Sequence, residues 1–395
     1  MRAQLKTEVA LITAARFILH TTSRMIYPFL AVFAAGMGVD LRAVSLAITA
    51  HNTAGAFGPF LASIADSRGR KAGILLGMIL FLIGPVLIAL HPAYPAFFIG
   101  LIFVAVGVSV VIPSTYAYLG DQVAYERRGL AISITEMSWS AAFIVGVPLV
   151  GLIIARWGWK APFPLLAGAA LAALVLFAWR LPADRGPFPP GGAVLSSFWR
   201  LLTYGPAAAG LLMGALATAG NEVVSLVFGI WMGASFGLQV AALGAASIVI
   251  GFAELGGEGL AAGLVDRLGK QRSIALGLLV NCLSAVSLLL LGRTLPGALA
   301  CLFLFYLSFE YTILASLPLI TEIFPSARGT LMALTVSAFF LGRALGALAA
   351  APLYQGWGIA ANALAAIALN LLGLALLRWV RVRQAAPLPE PADPV

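Results

Sequence analysis

The sequence predicts an all-α membrane protein with twelve transmembrane helices, arranged as two pseudo-symmetric six-helix bundles. Three observations lead to this fold class. The chain of 395 residues is 61% hydrophobic and only 10% charged, whereas a soluble protein carries about 25% charged residues. Apolar runs close to the roughly 20 residues that span a bilayer recur from end to end. Several motifs of the first half also return in the second half at a constant offset of 200 residues.

The apolar runs divide the chain into twelve predicted spans. Numbered in chain order, they are 9–35, 43–65, 72–91, 96–119, 130–155, 160–180, 204–232, 238–264, 273–291, 296–320, 330–353 and 358–379. An even number of spans puts both termini on one side, and that side carries 17 Lys and Arg residues against 4 on the other. Basic loops stay inside, so we expect a multi-pass protein of the cytoplasmic (inner) membrane with both termini cytoplasmic.

An internal repeat organises the spans into two halves. Four matches share the 200-residue offset: Asp66 with Asp266, Gly69 with Gly269, Arg128-Gly129 with Arg328-Gly329, and Trp157-Gly158 with Trp357-Gly358. Both halves begin on the same side, so the repeat is parallel, with its axis along the membrane normal. We predict an N-terminal six-helix half at 1–180, a Pro/Gly-rich cytoplasmic linker at 181–203, a C-terminal half at 204–380 and a disordered tail at 381–395.

The charged turn between spans 2 and 3 carries a recognisable motif, which is echoed between spans 8 and 9. A loop signature of the form G-x-x-x-D-x-x-G-R-K is matched, apart from its first glycine, by Asp66, Gly69, Arg70 and Lys71, and in the second copy by Asp266, Gly269 and Lys270. Together with the six-plus-six arrangement, this motif resembles the major facilitator superfamily over nearly the whole chain. The resemblance implies a carrier fold in which spans 3, 6, 9 and 12 are peripheral and the other spans line a central cavity.

Composition argues against several other classes of protein. The net charge of +9 comes from basic residues in short loops, without the basic patch of a nucleic-acid-binding surface. Gly269-Lys270 falls short of a phosphate-binding P-loop, because Leu264 and Gln271 occupy two of its required positions. The chain has only three His and no HExxH spacing. We therefore expect no enzyme activity, no cofactor and no metal, and a monomer whose partners are lipid, a small-molecule substrate and protons.

Polar residues inside the spans are the candidate substrate and proton pathway, since ionisable groups are costly in a membrane. This set is Arg24, His51, Asn52, Asn221, Glu222, Glu254, Glu310 and Arg343. Arg24, Glu254, Glu310 and Arg343 fall near the middle of their spans at 1.5 Å per residue. The same residues have a structural alternative, in which Arg24 and Arg343 form ion pairs with Glu222, Glu254 or Glu310.

The five acids within spans outnumber the three arginines, so full pairing is impossible if all are charged. Desolvation disfavours a carboxylate, and we expect at least one acid to carry a proton, with Glu310 and Glu254 favoured over Glu222. Glu136 and Glu258 lie nearer the cytoplasmic side, where we assign them to a gate or to packing. The remaining gate set comprises the signature-loop residues Asp66, Gly69, Arg70, Lys71, Asp266, Gly269 and Lys270. The resemblance implies that Asp66 latches the halves; the alternative is a role in topology alone.

These residues and the resemblance together indicate a secondary active transporter that works by alternating access and is coupled to protons. Gly146-Val-Pro148 in span 5 is a partial match to a Gly-Pro motif of exporters, which favours efflux of amphipathic or drug-like compounds. An importer of a sugar, amino acid or organic anion, and a non-transporting sensor of the same fold, remain as alternatives.

Overall fold

A computed structural model describes residues 3–61, 69–182, 201–324 and 327–380, and within these ranges it contains helices and turns but no strand. The predicted linker lies largely outside the described residues, as do Asp66 and the predicted tail at 381–395. Within the described part, ten helices are long and apolar enough to cross a membrane, and a bent helix pair makes an eleventh span. Leu41–Ala56, a helix of 16 residues, occupies the position of predicted span 2.

The helices follow the predicted order of spans. In the N-terminal half they are Ala3–Arg24 and Ile26–Met37 (span 1), Leu41–Ala56 (span 2), Arg70–Leu90 (span 3), Tyr94–Gln122 (span 4), Tyr125–Ala141, Ala142–Gly146 and Val147–Trp157 (span 5) and Pro162–Arg180 (span 6). In the C-terminal half they are Gly205–Ser225 and Phe228–Phe236 (span 7), Val240–Leu268 (span 8), Lys270–Leu291 (span 9), Leu295–Ile323 (span 10), Arg328–Trp357 (span 11) and Ile359–Leu376 with Leu377–Trp379 (span 12).

Spans 1 and 7 are broken helices, which the apolar pattern does not predict. Span 1 bends by 53° between its two segments, close to Pro28, whose ring nitrogen cannot donate the usual helical hydrogen bond. Span 7 breaks between Ser225 and Phe228. The two breaks meet across the halves, because a Cβ added to Gly229 would lie 2.7 Å from the Cα of Pro28. A glycine at this position therefore lets the two broken segments touch backbone to backbone.

The turn geometry repeats between the halves in the same way as the sequence. The positive-φ residues of the described chain are all glycines, and they form three pairs: Gly38 with Gly237, Gly69 with Gly269, and Gly158 with Gly358. Only glycine adopts these backbone angles at low cost. The matched pairs thus mark equivalent helix ends in two related six-helix bundles, as the repeat predicts.

Three buried hydrophobic clusters show how the two bundles meet. We call the end of the molecule that carries Ala3 and Val380 the terminal side, and the opposite end the distal side. On the terminal side each half has its own cluster, one around Ile12 and Phe81 and one around Ile274 and Ile320. On the distal side a single cluster joins both halves. The halves are therefore packed together at the distal side and have separate cores at the terminal side.

Two glycines allow the close distal contact between spans 5 and 8. A Cβ added to Gly244 would lie 3.2 Å from the Cα of Pro148 and 3.4 Å from the Cα of Gly151. Backbone atoms cannot move aside as a flexible side chain can. We therefore expect Gly244→Leu to disfavour the distal-closed conformation by about 1–3 kcal/mol, which changes its population relative to a distal-open one by roughly 5- to 150-fold.

Spin-label distances between cysteines at Arg42 and Gln355, which face each other across the distal side, would measure this shift. The control is Gly263→Leu on the same helix, where an added Cβ meets nothing within 4 Å. Equal distance distributions for the two variants would contradict the role given to Gly244.

Candidate functional site: a charged cavity between the halves

A cavity of about 250 Å³ lies between the two halves, beside the breaks in spans 1 and 7. Most of the predicted pathway residues line it. Its walls are formed by His20, Ser23, Arg24, Tyr27, His51, Asn52, Val108, Ile112, Trp139, Phe143, Asn221, Ser225, Glu254, Tyr306, Phe309, Val336, Phe339, Phe340 and Arg343. Charged groups and aromatic rings therefore face the same space, near the middle of the bundle.

Arg24 and Glu254 form a buried ion pair that joins the halves. Arg24 ends the first segment of span 1, and its Nη2 contacts Oε1 of Glu254 in span 8. Its Nη1 also donates to the carbonyl oxygen of Trp139 at 3.0 Å. The guanidinium lies 4.0 Å from the ring centre of Trp139 and 3.7 Å from that of Phe143. Arg24 is thus held by charge, by a hydrogen bond and by aromatic faces at once.

Glu222 forms a second connection between the halves on the distal side of the cavity. Its Oε1 accepts hydrogen bonds from the Tyr27 hydroxyl at 2.9 Å and from Nδ2 of Asn52 at 3.5 Å, both in the N-terminal half. Its Oε2 lies 3.6 Å from Nη1 of Arg343 in span 11. Arg343 therefore faces Glu222 within its own half, while Tyr27 and Asn52 reach the same carboxylate from the other half.

Glu310 differs from Glu254 and Glu222 in its contacts. It is partly buried on span 10, and none of the described residues forms a hydrogen bond or ion pair with its carboxylate. Its Cβ packs against span 8 at Gly257, so the charges facing it are those of Glu254 and Glu258 on that helix, with Arg24 and Arg343 on other spans. Glu258 itself accepts a hydrogen bond from Ser140 at 3.1 Å across the halves.

Glu136 belongs to a separate charged cluster inside the N-terminal half. Its Oε1 lies 2.5 Å from Nη2 of Arg16, which is fully buried. The Tyr116 hydroxyl donates to the same carboxylate oxygen. Nη1 of Arg16 also donates to the Thr135 hydroxyl at 3.4 Å. The arrangement ties spans 1, 4 and 5 together on the terminal side of the cavity.

The two histidines of the cavity differ in their contacts. Nδ1 of His51 donates to the carbonyl oxygen of Leu101 at 2.9 Å, which ties span 2 to span 4. His20 packs edge-on against Trp139, with ring centres 5.1 Å apart. Its Nε2 is buried and has no hydrogen-bond partner within the described ranges.

The basic residues of the two signature loops fasten equivalent helix ends within each half. Arg70 pairs with Asp121 at the end of span 4 at 3.1 Å, and Lys270 pairs with Glu322 at the end of span 10. Lys71 donates to the carbonyls of Ala178 and Leu181 at the end of span 6, and Gln271 donates to that of Val380 after span 12. Asp266 is exposed at the end of span 8, whereas Asp66 lies outside the described residues.

A network of buried amides was missed by the sequence reasoning, which searched the spans mainly for ionisable groups. Asn281 in span 9 donates to the Phe305 carbonyl at 2.7 Å and accepts from Asn370 in span 12 at 2.7 Å. Asn362 donates to the carbonyls of Val223 and Ala350. Asparagines inside apolar runs were the available signal, because a buried amide must find partners.

Comparisons with known proteins agree with this architecture. The family model of the Major Facilitator Superfamily matches residues 12–312. The "Uncharacterized MFS-type transporter YceJ" of Bacillus subtilis (strain 168) is 24% identical over 345 residues, covering 86% of this chain and 87% of that protein. "Multidrug resistance protein 2" of the same organism is 30% identical over 117 residues, or 30% of this chain and 29% of that protein.

The fold likeness extends over almost the full length of a solved transporter. The crystal structure of a D-xylose-proton symporter superposes with a TM-score of 0.75 at 18% identity, covering 94% of this chain and 97% of that chain. At this identity the likeness concerns the fold alone. The family match spans most of the two bundles that enclose the charged cavity, and this chain therefore belongs to the Major Facilitator Superfamily of membrane transporters.

Proposed function

We propose that the chain is a proton-coupled secondary transporter that exports amphipathic small molecules across the cytoplasmic membrane by alternating access. One observation carries the proposal. The cavity lies between two halves whose cores are fused on the distal side and separate on the terminal side. Rocking of the halves about the cavity would open it to each side in turn, as in carriers built from two related repeats.

The unpaired carboxylate of Glu310 supports coupling to protons. An isolated charged carboxylate away from water is costly, and binding a proton removes that cost. Glu254 already has Arg24 as a partner, and Glu222 has Arg343 and two hydrogen-bond donors. Glu310 is thus our first candidate for the proton carrier, with Glu254 exchanging between Arg24 and a proton as the halves move.

The proposed direction of transport and the proposed orientation of the chain in the membrane rest on sequence. The excess of basic residues on the terminal side supports cytoplasmic termini, so the cavity of the described conformation would open towards the cytoplasm. Gly146-Val-Pro148, at the π-helical turn of span 5, and the relative described as a multidrug resistance protein support export over import.

Asp66 and Asp266 are proposed to latch the halves when the terminal side closes. The basic residues of their loops are already engaged inside each half, which leaves the exposed Asp266 free to meet the other half. We expect Asp66→Asn and Asp266→Asn carriers to insert normally but to cycle more slowly, with the larger effect at Asp66. Unchanged turnover in reconstituted vesicles would leave the loops with a role in topology alone.

Counterflow in proteoliposomes tests the proposed function. Vesicles preloaded with each member of a panel of amphipathic anions, cations and neutral compounds are mixed with a labelled trace of the same compound, and an internal pH dye follows proton movement. We expect saturable exchange of at least one compound, and its accumulation when a proton gradient is imposed. Flux far above carrier turnover would indicate a channel, and no exchange with any compound would favour a sensor.

A further inference from the structure

The three arginines within the predicted spans, Arg16, Arg24 and Arg343, differ in how fully their donors are used. Arg16 contacts Glu136, Thr135 and Tyr116, and Arg24 contacts Glu254 and the Trp139 carbonyl while stacking on two rings. A guanidinium carries five N–H donors and no acceptor, so such partners are needed when it is removed from water. Both of these arginines have them inside the protein.

Arg343 differs from Arg16 and Arg24, because its guanidinium donates no hydrogen bond to another described residue. Its one ion-pair contact among these residues, with Oε2 of Glu222, is 3.6 Å long. It lines the cavity, and its side chain is 23% exposed. The side chains of Arg24 and Glu254 are only 7% and 4% exposed, and that of Glu222 is fully buried. Arg343 is therefore the charge at this site that a ligand in the cavity can reach.

Asn221, which also lines the cavity, has a second unused donor, but this donor is buried. Its Oδ1 accepts from Ser225 at 2.9 Å, while its buried Nδ2 has no partner among the described residues. Two orphaned acceptors are also present, Oε2 of Glu222 and Oε2 of Glu254. Both carboxylates already face an arginine, and their side chains are 4% exposed for Glu254 and fully buried for Glu222. The most exposed charged group of this site is thus the Arg343 guanidinium, which is a hydrogen-bond donor.

The remaining walls near Arg343 are apolar and aromatic. Phe309 lies 5.9 Å from the Arg343 guanidinium, measured to the ring centre, and Phe339 and Phe340 flank Arg343 on span 11. The cavity of about 250 Å³ lies near the lower end of the range of small-molecule pockets, which begins at roughly 300 Å³. This size favours a compact ligand.

We propose that the cavity binds a compact organic anion, a carboxylate with an aromatic or short aliphatic body, through Arg343. The two carboxylate oxygens would accept a paired set of guanidinium hydrogen bonds, and the body would pack on Phe309, Phe339 and Phe340. This proposal rests on the proposed function, in that it takes the cavity to be the transport site, and it narrows the substrate class.

A matched set of probes tests the charge preference on the unmodified protein. Benzoate, benzylamine and benzyl alcohol share one ring and differ in charge, and hexanoate, hexylamine and hexanol repeat the comparison with an aliphatic body. Equilibrium binding to the purified protein in lipid nanodiscs is expected for at least one carboxylate, with at least about tenfold weaker binding of the matching amine and alcohol. Tighter binding of the amines, or no binding of either carboxylate, would overturn the proposal.

Variants then locate the site. Arg343→Gln is expected to weaken carboxylate binding at least about tenfold, while Arg343→Lys keeps part of it because the charge remains. Arg42→Gln, which changes an exposed arginine on the distal side, is the control and should bind as the unmodified protein does. Equal affinity in Arg343→Gln and Arg42→Gln would overturn the assignment to Arg343.

Binding and transport can fail separately. If benzoate or hexanoate binds at Arg343 but the vesicles show no counterflow, the anion site stands and the transport proposal fails. If counterflow occurs with amines while the carboxylates do not bind, transport stands and the anion site is wrong.

Discussion

Replacing Glu254 by glutamine is expected to destabilise the protein and to abolish transport. The change would leave the guanidinium of Arg24, whose side chain is 7% exposed, buried without its counter-charge. Removing one partner of a buried ion pair costs about 3–5 kcal/mol, since the other charge stays desolvated. Because this pair joins spans 1 and 8 across the halves, its loss would weaken a contact between the halves at the cavity wall. Thermal unfolding in detergent and counterflow in vesicles measure the two effects.

Glu258→Gln provides the matched control. Glu258 lies one turn further along the same helix and, among the described residues, accepts one hydrogen bond, from Ser140, so we expect a much smaller loss. Replacing both partners, in Arg24→Gln/Glu254→Gln, should recover much of the stability, because no charge is then stranded. Transport should stay low in the double variant. If Glu254→Gln unfolds at the same temperature as Glu258→Gln, the Arg24–Glu254 pair does not hold the halves together.

Glu310→Gln is expected to uncouple transport from the proton gradient. Glutamine resembles a protonated carboxyl in shape but cannot release a proton. The substitution should preserve the fold, because none of the described residues pairs with Glu310. Counterflow, which needs only the return of the loaded carrier, should persist, whereas accumulation driven by an imposed proton gradient should fall to the level of protein-free vesicles.

The control for this variant lies on the same helix. Glu322→Gln removes an acid that pairs with Lys270 at the terminal end of span 10, where its side chain is 40% exposed. An exposed pair contributes little to stability, and we expect gradient-driven accumulation to survive. Accumulation at the unmodified level in both Glu310→Gln and Glu254→Gln would show that neither acid carries the coupling proton.

The overall architecture was predictable because length and apolarity are properties of each segment alone. The order of the spans and the two-bundle arrangement are confirmed by the structure and the family match. The breaks in spans 1 and 7 were not predicted: Pro28 was an available local signal for the first, whereas the approach of Gly229 to Pro28 appears only when the two spans are placed side by side. Likewise, the apolar run 130–155 gives no sign of the π-helical turn at Ala142–Gly146.

The sequence indicated which types of residue line the cavity, but it did not indicate which of them form ion pairs with one another. Intramembrane charges are rare enough to mark the cavity, and most of the predicted pathway residues line it. Which arginine faces which acid depends on how the spans pack against one another. In the structure Arg24 pairs with Glu254 and Arg343 faces Glu222, while Glu310 pairs with neither arginine. The same holds for the signature loops, because the pairing of Arg70 with Asp121 could be identified only once spans 3 and 4 were placed side by side.

Paired spin-label distances test the proposed rocking of the two bundles about the cavity without knowledge of the substrate. The chain has only two cysteines, Cys282 and Cys301, both buried, which can be replaced to give a clean background. One label pair, Arg42→Cys with Gln355→Cys, reports the distal side. The other, Gly129→Cys with Gly329→Cys, reports the terminal side, where an added Cβ at either glycine meets nothing within 4 Å.

Double electron–electron resonance in lipid nanodiscs, across a range of pH and with and without benzoate, is the decisive measurement. We expect two populations in each label pair, with the distal distance lengthening as the terminal distance shortens, and with pH shifting the balance between them. A single population in both pairs, unchanged by pH and by ligand, would contradict alternating access about this cavity.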